Sequence, residues 1–223
     1  MLAVQTPVQS QKIASRELKD FNSIRLAGQI TAFLIPGDEN KIYIESKDVE
    51  VEKINTSVED NELTVKLLSH LFKNPTVYVE ITFKELEEIK AMADAEVNFK
   101  KPVVQNKFQI KSTSGANIEL KTDTRKLSLD AFQGGQVVIK GKTDSLEAYI
   151  NTGGILSGTD LVCQRAEVKV NTGGKAEITV KEMLEASVNT GANFSYYGTP
   201  PVENVSKSLG GTISAWDKNK KEK

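Results

Sequence analysis

Cysteine, histidine and tryptophan each occur once in 223 residues, as Cys163, His70 and Trp216. A single cysteine excludes an intramolecular disulfide. His70 has no second histidine, and no cysteine nearby in sequence, with which to share a metal, so it reads as a surface side chain. No apolar run approaches the roughly 20 residues that a membrane-spanning helix needs. The basic excess of a nucleic-acid surface is also missing: 29 Lys and Arg face 30 Asp and Glu, for a net charge of -1. Aromatics are only 6 % of the chain. β-Branched residues are common, as in a narrow β core filled by aliphatic side chains. The start, Met1-Leu-Ala-Val-Gln-Thr-Pro-Val-Gln-Ser10, has neither the basic opening nor the apolar length of a signal peptide. One cysteine fits a reducing compartment, or an exported bacterial protein that does without bridges.

What the chain does contain is a repeat. Leu146-Glu-Ala-Tyr-Ile-Asn-Thr-Gly-Gly154, Arg165-Ala-Glu-Val-Lys-Val-Asn-Thr-Gly-Gly174 and Leu184-Glu-Ala-Ser-Val-Asn-Thr-Gly191 say nearly the same thing. Weaker copies end at Gly115, Gly134 and Gly210, so the marker glycines are 19, 19, 20, 18 and 19 residues apart. Such a period marks a stacked architecture. Before each glycine alternate residues are apolar (Leu146, Ala148, Ile150; Ala166, Val168, Val170), and the alternation resumes after it (Val137, Ile139; Ala176, Ile178). Period 2 means strands with one buried face. The expected fold is all-β, a right-handed parallel β-helix or β-solenoid, with handedness following the usual crossover preference. The Asn-Thr-Gly corner calls for residues that tolerate positive φ, expected to be Asn and Gly. Asn151, Asn171 and Asn189 would then stack as an amide ladder, about 4.8 Å per turn. Small inward residues (Ala131, Ala148, Ala166, Ala186) predict a filled core without an internal ligand cavity.

The remainder is less regular. Residues 1–17 read as a flexible lead-in and 18–100 as an irregular N-terminal β half. Residues 101–216 hold the regular repeats and 217–223 a charged tail. Strands are expected over 29–35, 41–45, 49–54, 62–67 and 76–83, with a loop or helical turn at 68–75. Asp94 stands 21 residues before Gly115 and counts as a degenerate first corner. Tyr196-Tyr-Gly-Thr-Pro-Pro201 interrupts the last coil, since two prolines cannot sit inside a central strand. Trp216 is expected to lid the open C-terminal end of the core.

Phe21-Asn-Ser-Ile-Arg-Leu-Ala-Gly-Gln-Ile30 with Pro36-Gly-Asp38, the Asn-Thr-Gly corners, and Tyr196-Tyr-Gly-Thr-Pro200 with Ser206-Lys-Ser-Leu-Gly-Gly211 together resemble the auto-transporter adhesin head domain family, the GIN domain of exported Bacteroidetes proteins. The resemblance runs from about residue 18 to 216. It implies a β-solenoid, an exported cell-envelope location and an adhesion-type role. It brings no catalytic residue to this chain.

Three functions are open. A non-enzymatic binding module would use the exposed rows Glu147 and Tyr149, Glu167 and Lys169, Glu185 and Ser187, with Tyr149 and Tyr197 as aromatic contacts, and would bind a glycan or an envelope protein. A structural scaffold would use the coil ends or edges. A polysaccharide-active enzyme would need clustered carboxylates. The candidates Asp123, Asp130, Asp144 and Asp160 stand at unmatched phases of the repeat, with no histidine near them. Cys163 has no histidine partner either and reads as a small apolar filler. No catalytic, cofactor-binding or metal-binding residue is assigned.

Overall fold

The computed structural model describes residues 12–68 and 75–216. Seventeen strands form one continuous sheet that coils on itself. In chain order they are β1 (Lys12–Glu17), β2 (Ser23–Ala27), β3 (Thr31–Pro36), β4 (Lys41–Ser46), β5 (Ile54–Glu59), β6 (Glu62–Leu67), β7 (Val77–Phe83), β8 (Glu88–Met92), β9 (Glu96–Phe99), β10 (Val103–Thr113), β11 (Asn117–Phe132), β12 (Gln136–Asn151), β13 (Ile155–Val170), β14 (Lys175–Val188), β15 (Asn193–Tyr197), β16 (Val202–Lys207) and β17 (Thr212–Trp216). The chain is a β-solenoid with a spacing of about 19 residues.

The repeat is visible in the register. Leu127 pairs with Leu146, Leu146 with Ala166, and Ala166 with Leu184, all parallel. Their side chains are buried, as are Val137, Ile139, Val168, Ile178 and Val188, so every inward phase read from the alternation is core. The strands from β11 to β13 run 16 residues each because they bend without breaking. Their first halves lie on one face, called the back, and their second halves on the opposite front face. At the bend Thr124, Thr143 and Cys163 stack in register and are buried. Thr124 Oγ1 donates to Thr143 Oγ1 at 3.2 Å, which in turn donates to the Ser145 carbonyl.

The corners differ from expectation by one residue. Positive φ falls on the Thr-Gly pair, as at Thr152 and Gly153 or Thr172 and Gly173, and not on Asn. The asparagine precedes that pair, and its carbonyl accepts the N–H three residues on, as Gly154 N to Asn151 O at 3.0 Å. Two consecutive left-handed residues closed by that bond make a type I′ turn, so the strain sits where threonine must tolerate it. Ala93 and Asp94 adopt the same geometry, so Asp94 is a corner as read. The glycine after the turn has a separate role. A Cβ on Gly154 would lie 2.1 Å from the Ala131 carbonyl oxygen of the neighbouring coil.

The amide ladder forms only in part. Asn189 Nδ2 donates to Asn171 Oδ1 at 3.1 Å, and Ser208 Oγ extends the row by donating to Asn189 Oδ1. Asn151 instead accepts from the Thr152 N–H and donates to the Tyr149 hydroxyl.

The N-terminal half stacks out of chain order. β2 lies between β6 and β8, and β3 between β7 and β9, all parallel, so the first coil is wedged between two later ones. Beyond β6 and β7 the pairing turns antiparallel: β5 on β6, β4 on β7, and β1 on β4. Residues 12–17, read as lead-in, are thus an edge strand. Val49 to Ile54, read as a strand, instead includes a 3-10 turn at Val51–Lys53. Its Val49, Val51 and Ile54 are buried and close that end of the core.

The C-terminal end corrects another expectation. Trp216 pairs with Tyr197 at an outward phase and is 51 % exposed, so it does not lid the core. The inward phases of β17 belong to Ile213 and Ala215, over Phe194 and Tyr196. The interruption expected over Tyr196 to Pro201 is shorter than expected: Tyr196 and Tyr197 belong to β15, and residues 198–201 separate it from β16. His70 and the charged tail lie outside the described residues. No helix among the described residues is long and apolar enough to cross a membrane.

Candidate functional site

The front face carries two outward rows that run the length of the coil. One reads Glu62, Ser23, Glu88, Gln109, Ser128, Glu147, Glu167, Glu185 and Asn204. Beside it, two residues on in each strand, runs Thr64, Arg25, Lys90, Lys111, Asp130, Tyr149, Lys169, Ser187 and Ser206. Parallel in-register stacking sets successive residues of a row roughly 4.8 Å apart. The six residues expected to form an exposed surface (Glu147, Tyr149, Glu167, Lys169, Glu185 and Ser187) therefore meet on one sheet.

Electrostatics divides this face. At its N-terminal end the charges satisfy one another. Arg25 Nε and Nη2 donate to the Glu62 carboxylate at 2.6 and 3.2 Å, and Lys90 Nζ donates to Glu62 at 2.9 Å and reaches Glu88 at 2.7 Å. Partial burial alone would raise the Glu62 pKa, but the bonds from Arg25 and Lys90 outweigh it and hold the carboxyl below its ordinary value.

In the middle the balance is poorer. Glu147, Glu167 and Glu185 are adjacent in register. Lys169 reaches Glu167 at 2.7 Å, and Lys126 reaches Glu147 at 3.6 Å. Asp130, partly buried, is pushed above the ordinary carboxylate value by desolvation; Lys111 opposes this, and Glu147 and Glu88 add to it. A cavity of about 260 Å³ opens here, lined by Ser128, Asp130, Glu147, Tyr149, Glu167 and Lys169. A smaller one of about 70 Å³ follows beside Glu185, Ser187, Asn204 and Ser206. Tyr149 is 41 % exposed. Its oxygen already accepts from Asn151, so its O–H is left to donate outward. The patch offers closely spaced carboxylate acceptors, one ammonium, hydroxyls and one aromatic ring. That set suits a ligand rich in hydroxyl donors.

The other expected residues do not join it. Tyr197 is half-buried on β15, on the back face, so the two tyrosines do not share a surface. Asp123 pairs with Lys142 at 3.2 Å, and Asp160 approaches Lys140 at 4.0 Å, each near the bend of a different coil. Asp144 is exposed at a third register position, and Asp130 alone of the four lies on the front face. Cys163 is buried in the bend column, where desolvation pushes its thiol up to about 12, as befits an apolar filler. Among the described residues no cluster of three or more His, Cys, Asp and Glu side chains could hold a metal ion. Sequence reasoning missed the ion-pair network of Arg25, Glu62, Glu88 and Lys90. Nothing in the sequence announces that β2 is wedged between β6 and β8.

Residues 20–200 match the family described as "Putative auto-transporter adhesin, head GIN domain". No curated protein matches the chain. Among solved structures it is similar to a putative adhesin from Bacteroides fragilis, with 19 % identity over 94 % of this chain and 99 % of that one and a TM-score of 0.84. A putative adhesin from Parabacteroides merdae is 21 % identical over 94 % and 97 % of the two chains, with a TM-score of 0.75. A protein from Parabacteroides distasonis called a putative lipid binding protein is 16 % identical over 94 % and 98 %, with a TM-score of 0.72. At these identities the likeness is one of fold.

Proposed function

Because the chain belongs to the auto-transporter adhesin head GIN domain family, we propose that it is a non-enzymatic binding module of the bacterial cell envelope. Its front face is the contact surface and a hydroxyl-rich glycan is the ligand. The observation that carries the reading is the juxtaposition of Glu147, Tyr149, Glu167 and Lys169 around one open cavity on a rigid sheet. A stacked coil holds these groups at fixed spacing without ordering a loop, so little entropy is lost on contact. The family and the origin of its relatives support an exported location.

The test is a glycan array and an envelope-fraction pull-down with the purified chain beside a Tyr149→Ala, Lys169→Ala variant. Saturable binding that the variant loses supports the reading. Binding that the variant retains in full moves the contact surface elsewhere.

A scaffold role is favoured by a different observation: Val202, Leu209 and Trp216 are more than half exposed on the last described coil. Concentration-dependent sedimentation would separate it from the first reading, since a scaffold assembles without added ligand.

A further inference from the structure

We propose that the back face holds a second binding site, a cavity that takes the acidic group of an anionic saccharide. It lies where β9, β11 and β12 stack beside β3. Lys121 and Lys140 are register partners on adjacent parallel strands, so their stems leave the sheet roughly 4.8 Å apart. Lys100 and Lys101 follow directly on β9, where the chain turns away before Pro102. Like charges in adjacent register repel unless a counter-charge stands between them. The cavity lining holds one carboxylate, Glu119, against the four lysines. Among the described residues these four lysines form one ion pair, Lys140 with Asp160, at the limiting distance of 4.0 Å. Lys100 is held over the Phe33 ring, 3.8 Å from its centroid. The rim of the cavity is therefore net positive, the sign that attracts an anion.

The lysines border a cavity of about 430 Å³, within the roughly 300–1,000 Å³ typical of small-ligand sites. Its other walls select the ligand. Asn98 and Glu119 are register partners there and can bond hydroxyls. Phe99 and Val138 offer apolar surface for the carbon face of a ring. An ammonium row for a carboxylate or sulfate, an amide and a carboxylate for hydroxyls, and an apolar wall together describe an acidic sugar. A flat anionic membrane fits less well, because the lysines border a concavity that a flat surface does not enter. The site stands apart from the front face, so it survives or fails independently of that surface.

The experiment is calorimetry of the full chain with an oligogalacturonide, its neutral methyl ester, inorganic phosphate, and phosphatidylcholine vesicles containing phosphatidylglycerol. The variants are Lys121→Gln, Lys140→Gln together, and, as a charge-matched control outside the cavity, the exposed pair Lys175→Gln, Lys181→Gln together, each checked for native circular dichroism. The expected result is oligogalacturonide binding that weakens with salt and drops at least roughly tenfold in the lysine variant and for the methyl ester, since charge-assisted bonds are lost. The Lys175→Gln, Lys181→Gln control, which removes the same charge away from the cavity, should bind like the wild type. Equal binding of the methyl ester, or undiminished binding by the folded lysine variant, overturns the proposal. So does phosphate binding as tight as the oligosaccharide. Binding of the vesicles alone would assign the lysines to a membrane and overturn the saccharide reading.

Discussion

Gly154 and Gly174 close the same Asn-Thr-Gly-Gly corner on successive coils, and alanine should affect them very differently. Neither has a positive φ, so an alanine backbone is allowed at both. What differs is the coil beside them. A Cβ at Gly154 would stand 2.1 Å from the Ala131 carbonyl oxygen and 2.5 Å from its carbon. An ordinary carbon–oxygen contact is roughly 3.4 Å, so backbone must move by more than about 1 Å, and that backbone belongs to a ladder hydrogen-bonded on both sides. At Gly174 the closest atoms are Asn171 O at 3.0 Å and Ile150 Cγ2 and O at 3.2 Å, a shortfall of a few tenths of an ångström. Overpacking of the first kind costs about 3 kcal/mol. The second costs about 1 kcal/mol or less, and the lower entropy of the unfolded alanine chain offsets part of that by roughly 0.4–1 kcal/mol. Urea unfolding followed by circular dichroism should place Gly154→Ala about 2 kcal/mol below Gly174→Ala. If Gly174→Ala proves equally or more damaging, the glycine after the turn is not there for close approach, and the account of the corner is wrong.

Other expectations follow from the same structure. Val168→Asp buries an unpaired carboxylate in a fully enclosed position and should prevent folding; a soluble variant with the wild-type thermal midpoint would contradict the placement. Thr143→Val removes the acceptor of the Thr124 hydroxyl and should cost roughly 1–3 kcal/mol, whereas Thr124→Val combined with it should cost less than the two single changes added together. Glu62 titrates below its ordinary value when folded. Its contribution is therefore present above the unfolded pKa and lost as pH falls through the folded one, so Glu62→Gln should flatten the acid limb of a stability–pH curve and leave the neutral region's slope unchanged. Cys163, buried with its thiol raised to about 12, should resist a thiol-specific reagent at neutral pH until the chain unfolds; rapid labelling of the native protein would disprove its burial.

The regular half was legible because one chemical rule repeats in it. Alternation names the inward residues, and the glycine spacing names the coil, so the register Leu146 to Ala166 to Leu184 could be written down beforehand. The corner was legible only in kind. Asn and Gly are the residues usually associated with positive φ, yet Asn171 is not among the positive-φ residues and Thr172 takes φ of +47°. The turn bond fixes the residues that must bend, and that bond is a matter of chain geometry. The N-terminal half was legible as strands but not as an order. β2 contacts Glu62 and Glu88, 39 and 65 residues away through Ser23. Nothing local to β2 distinguishes that wedge from a simple succession of coils. Trp216 misled for a related reason: its size suggested a lid, but strand phase, set by Phe194 and Tyr196 beneath β17, points it outward.

The two proposed surfaces differ in how far the sequence announces them, because only one follows the repeat. Glu147, Glu167 and Glu185 recur at one phase, so stacking them needed only the period, and the structure places them side by side. The lysine cavity breaks the period. Lys121 and Lys140 are one repeat apart and could have been paired on paper, but Lys100 and Lys101 arrive from a corner, and Phe33 from a coil out of chain order. A site assembled from a regular row, a corner and a wedged coil has no sequence signature. Its only mark is electrostatic, with four lysines gathered at one cavity in a chain whose net charge is close to zero.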